Sequence, residues 1–159
     1  MDESAGTLTL ERYDGREVFT ISSATIYSGP AEHGFNLNFD IQTDIILETL
    51  PDADGYGGLP NAEFNVNVDQ HSWTDFVGQR FEIPGGLDAE TGDQATRLYY
   101  FEHEPTFDNV IHVLEQRGER YLVSIEGTCE DINWYAGGKP RTRFRIEAWF
   151  TPHISSRTN

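Results

Sequence analysis

Asn36, Asn38 and Asp40 fall on every second position of one stretch, and Asn65, Asn67 and Asp69 repeat the rhythm further along. A carboxamide carries two N–H donors and an acceptor oxygen, and a carboxylate adds acceptors alone. Aligned side by side, these residues would make a shelf able to hold a sugar or a cation. Same-face positions along a strand lie about 6.8 Å apart, so the shelf offers spaced hydrogen-bonding groups rather than a tight metal cage.

Calcium chemistry points instead to two acidic, turn-rich segments. One contains Asp52 and Asp54, and the other Asp88, Glu90 and Asp93. Calcium takes six to eight oxygens, and Asp52-Ala53-Asp54-Gly55 supplies only a fragment of a hand-type loop without its closing glutamate. A calcium site at Asp52, Asp54 and Asp88 therefore requires the two loops to converge.

Catalytic patterns are sparse. The chain has no Gly-x-Ser-x-Gly elbow, phosphate-cradling glycine loop or His-Glu-x-x-His run. Glu102 and Glu104 share a strand parity about 6.8 Å apart, near an inverting glycosidase spacing, but two neighbours on one strand cannot flank a sugar from opposite sides. Cys129 precedes Glu130 and Asp131, whose charges oppose thiolate formation and make it a core or strand-end thiol rather than a nucleophile. Among the histidines His33, His71, His103, His112 and His153, only His103 and His112 are spaced to meet on adjacent strands.

One constellation runs against the overall charge. Arg141, Arg143 and Arg145 share a parity with Glu147 and Trp149, and Trp134 and Tyr135 lie in the turn before them. Arginine and tryptophan are enriched where proteins bind one another, so Arg143, Arg145, Trp149 and Trp134 form a candidate partner surface. Cross-strand pairing with Glu126 or Glu130 is the competing role for these arginines.

Strands must position all of these groups. Phe35, Leu37, Phe39, Ile41, Ile45 and Leu47 alternate with polar residues, and Phe64, Val66 and Val68 do the same, which predicts two strands each with one dry face. Asp44 through Leu50 also reads as one or two helical turns stopped by Pro51. Before them, strands are expected around Leu8 and Leu10 and over 17–27, with Asp14-Gly15 as a hairpin turn and Ser28-Gly29-Pro30 as a stop. After them come a short turn at Ser72-Trp73-Thr74-Asp75 and strands over 76–83, 96–104, 107–116, 119–129 and 142–150. The sum is one all-β domain over 1–159, an antiparallel β-sandwich or open barrel of about nine strands.

Composition bounds the partners. The 159 residues carry 27 Asp and Glu against 11 Lys and Arg, a formal net charge of −16. Such a field repels nucleic-acid phosphates and anionic lipids and attracts basic proteins or divalent cations. No apolar run approaches the roughly 18 residues of a membrane-spanning helix, and the acidic N-terminus lacks the pattern of a secretory signal, so a cytoplasmic location is expected. The leading expectation is a non-enzymatic acidic binding protein, immunity-like or inhibitor-like toward a basic protein. The alternatives are a carbohydrate- or calcium-binding sandwich, a glycoside-active enzyme, or a self-associating subunit pairing through the Trp149 strand.

Overall fold

The computed structural model describes residues 5–12, 15–30, 34–48, 59–69, 72–85, 96–100, 102–130 and 141–154, with backbone alone at 102–104 and 154. Its strands are β1 (Gly6–Arg12), β2 (Gly15–Pro30), β3 (Phe35–Glu48), β4 (Asn61–Val68), β5 (Arg80–Ile83), β6 (Thr96–Tyr100), β7 (Glu102–Pro105), β8 (Phe107–Arg117), β9 (Arg120–Cys129) and β10 (Thr142–Ile154). They form one sheet in the order β5-β8-β9-β10-β1-β2-β3-β4-β6-β7. The all-β, antiparallel character expected from alternation is observed. One pairing departs from it: Thr151–Ile154 of β10 runs parallel to Thr25–Ser28 of β2. It arises because β1 begins at Gly6, opposite Ala148 and Ile21, so β2 and β10 meet directly beyond its end.

The dry face is continuous. Leu8, Leu10, Phe19, Ile21, Ile26, Leu37, Phe39, Ile41, Phe64, Ile111, Val113, Val123, Ile125, Phe144, Ile146 and Phe150 are all buried in one cluster. Each such side chain contributes roughly 1.5–3 kcal/mol on leaving water. Phe64 of β4 meets Phe144 of β10 at 5.7 Å between ring centres, and Phe39 of β3 meets Phe150 at 5.8 Å. Because β1 and β2 lie between those strands in the sheet, it must curl to bring its inner face against itself. Asn109 of β8 adds a polar tie by donating to the Ile83 carbonyl of β5 and to Thr96 Oγ1 of β6, which joins strands near the two ends of the sheet order.

Several sequence expectations are corrected. Residues 44–48 continue β3 rather than forming helical turns, because they pair with Val18, Phe19 and Thr20 across register shifts. There the strand outruns the core, so Ile45 and Leu47 are exposed despite sharing parity with buried Leu37 and Phe39, and Phe35 is exposed at the other end. Ser28-Gly29-Pro30 does not stop β2; proline's missing donor is tolerated as the strand's last residue, paired with Phe35. Gly15 pairs with Arg12 as the first residue of β2, so it belongs to the strand rather than to the turn. The 76–83 segment is strand only from Arg80, since Phe76 turns inward to stack on Phe39. The 96–104 segment is the β6–β7 hairpin, with Tyr100 paired to Glu102. The short turn is a 3-10 helix at Trp73–Asp75, capped by Ser72, whose side chain accepts from the Thr74 N–H.

Candidate functional site

The two matched strands are neighbours, and their register aligns the amides. Asn36 faces Asn67, Asn38 faces Asn65, and Asp40 faces Glu63. Asn36 Nδ2 donates to Asn67 Oδ1 at 3.0 Å. The row through Asn38 continues onto β2 and β10, because Asn38 also faces Tyr27 and Tyr27 faces His153. Imidazole, phenol and two carboxamides thus cross four strands on one wet face. The Tyr27 and His153 rings meet edge-on at 5.3 Å.

A shallow groove of about 390 Å³ follows this row, lined by Tyr27, Gly29, Asn36, Asn38, Asn65 and His153 among others. A methyl group added at Gly29 would meet nothing within 4 Å, so the missing side chain helps keep the depression open. Asn38 Oδ1 is shut from solvent without a hydrogen-bond partner. An orphaned buried acceptor costs about 1–3 kcal/mol, a penalty that a donor from a ligand would remove. Asp40, beside the groove, has its carboxyl pKa raised, first by burial and then by Glu63, against smaller opposing effects of Gln42 and Arg97. Glu63 is itself ion-paired with Arg97.

The arginine row occupies the outer face of β10, where its parity put it. Register sets Arg143 between Glu11 of β1 and Thr128 of β9, and Glu11 faces Arg16 of β2. Arg16 in turn holds Glu48 through two hydrogen bonds of 3.2 and 3.0 Å. The result is an alternating ladder, Arg143, Glu11, Arg16, Glu48, across four strands. Arg145 reaches Glu126 at 3.5 Å and Arg141 reaches Glu130 at 3.3 Å, so the cross-strand role is the observed one. Trp149 is half-buried beneath Arg117, whose guanidinium carbon lies 5.0 Å from the ring centre. At Trp149 β10 is paired on both sides, with Leu122 of β9 and through its N–H with the Ala5 carbonyl.

A groove of about 600 Å³ opens along this face, lined by Glu11, Asp108, Glu126, Arg143 and Arg145 with Val110, Gly127, Thr128 and Phe144. Asp108 enters it from a left-handed backbone, φ 53°, at the register shift between Phe107 and Val110. A non-glycine residue there carries backbone strain, which the bulge imposes.

A third cluster was not anticipated from sequence. Arg12 and Glu17 form a salt bridge of 2.9 Å with side chains 1% and 0% exposed, and the Tyr100 hydroxyl donates to the second carboxylate oxygen at 3.0 Å. Strand parity is the signal that would have found it. Arg12 follows Leu8 and Leu10, and Glu17 precedes Phe19 and Ile21, so the two-residue period sends both charges inward.

Asp52, Asp54, Asp88, Glu90, Asp93, Trp134, Tyr135, His33 and His71 lie outside the described residues. Glu102, His103 and Glu104 are placed on β7 by backbone alone, and β7 pairs with β6, so His103 and His112 are not on neighbouring strands. Cys129 is buried at the end of β9. Among the described residues no group of three or more His, Cys, Asp or Glu is arranged to hold a metal. No protein-family model matches the chain, and neither a curated protein nor a solved structure is similar to it.

Proposed function

We propose that the chain is a non-enzymatic binding protein that docks a basic protein through the carboxylate-rich groove over β8, β9, β10 and β1. An immunity-like or inhibitor-like role toward a basic enzyme is the class that suits its size and charge. The observation that carries the reading is the groove itself, where Glu11, Asp108 and Glu126 outnumber Arg143 and Arg145 on a chain of net charge −16. The arginines are matched by carboxylates of the same sheet, so an anionic partner gains little there, whereas a basic side chain meets an excess of acceptors. Arg143 and Arg145 then act as register marks, repelling cations that arrive out of place. A lone thiol, Cys129, agrees with a reducing cytoplasmic setting.

The test is capture of partners on the immobilised protein, followed by association kinetics with the purified partner. Steering by opposite charge predicts an association rate that falls about tenfold or more between low and physiological salt. The double variant Asp108→Asn, Glu126→Gln should lose most of that dependence and bind more weakly. A partner bound equally fast at every ionic strength, or unaffected by the double variant, overturns the reading.

A further inference from the structure

We infer a second site, independent of the acidic groove: the Tyr27–Asn38–Asn65–His153 groove is built for a neutral polyhydroxylated ligand, a pyranose or short oligosaccharide. Four strands spaced about 4.8 Å apart give the row a length of about 14 Å, the scale of one to two sugar rings. Its chemistry changes along that length. Tyr27, 42% exposed, and the exposed His153 supply ring surface for the C–H face of a sugar, while Asn36, Asn38 and Asn65 supply amides. Each amide can donate to one hydroxyl and accept from the next, so a row of them matches the alternating donor and acceptor habit of vicinal hydroxyls.

The orphaned Asn38 oxygen makes the assignment specific. The amide torsion of asparagine is soft, so the side chain can turn its oxygen from its solvent-shut position toward a hydroxyl in the groove. What the groove lacks is equally informative about charge. Glu63 is held by Arg97, and neither Glu63 nor Asp40 lines the groove. A phosphorylated or otherwise anionic ligand would meet the repulsion of the whole chain, and a divalent cation would find amides where it needs carboxylates.

The experiment is a glycan array followed by calorimetry with the best-binding oligosaccharide, with adenosine and calcium chloride titrated as separate probes. Saturable sugar binding is expected, weakened about tenfold or more by Asn38→Ala and again by Tyr27→Ala, the scale of one lost hydrogen bond or ring contact. Circular dichroism and thermal midpoints of both variants confirm folding. Gly29→Leu, which fills open space in the groove rather than removing a contact, should block binding without lowering the midpoint. Silence across the array, sugar binding that survives both alanine variants, or saturable binding of adenosine or calcium alone overturns the inference. Partner capture by the acidic groove is untouched by any of these results.

Discussion

Arg12 and Glu17 are the charges with the most at stake, because neither can retreat to water. A buried pair contributes little over an apolar pair of the same volume, but breaking it leaves one charge stranded, at about 3–5 kcal/mol. Arg12→Met is therefore expected to lower unfolding stability by about that amount, read from the urea midpoint at constant slope. The double change Arg12→Met, Glu17→Leu should recover a substantial part, although Tyr100 then loses the carboxylate its hydroxyl donates to. A single variant costing less than about 1 kcal/mol would mean that the stranded carboxylate finds another partner or reaches solvent. The pair also shows what a chemistry-first reading overlooks. Arg12 and Glu17 belong to no motif, and only the burial of their neighbours two residues away marks them.

At the scale of the strand, alternation made most of the inner face legible, because a pleat leaves each side chain a choice of two faces. Leu37, Phe39, Phe64 and Val66 are buried as their parity required, and so are Tyr121, Val123, Phe144 and Ile146. Parity failed where another constraint intervened. The register shift between Ile21 and Ser23 moves the inward positions of β2 onto Ala24 and Ile26, and β3 outruns its core at Ile45 and Leu47. The amide shelf was readable from the same alternation, whereas its continuation onto Tyr27 and His153 depends on the parallel contact of β10 with β2, which no local pattern announces. Asp40 gives this face a pH signature. Its carboxyl is raised above the ordinary 3.8, first by burial, so its contribution favours the fold in acid and is lost as pH rises through the raised value. Asp40→Asn should accordingly stabilise the protein at neutral pH, with the advantage shrinking as pH falls toward 3.8. Thermal midpoints of both proteins across that range check it, and an advantage that grows in acid would reverse the assignment.

For the molecule as a whole, two sets of electrostatic terms oppose each other. The cross-strand ladders and ion pairs attract at contact distance, while the excess carboxylates of a chain carrying −16 repel one another across the whole surface. Salt does not weaken them equally. With a screening length of about 10 Å at 0.1 M, interactions spread over the protein diameter vanish first and pairs in hydrogen-bond contact persist longest. Exposed pairs such as Arg16–Glu48 and Arg145–Glu126 are moreover individually weak, so little attraction is forfeited as repulsion is relieved. The thermal midpoint should therefore climb as sodium chloride is raised from a few millimolar toward physiological strength, with most of the gain before the screening length falls to about 10 Å. Acid should at first act in the same direction by neutralising surplus carboxylates, until Glu48 is reached. Its pKa is lowered, chiefly by the Arg16 hydrogen bond, so its stabilising share is present above the ordinary 4.5 and disappears as pH falls through the depressed value. A midpoint that declines with the first additions of salt would show that the ladders, rather than the surplus charge, set the electrostatic balance of the fold.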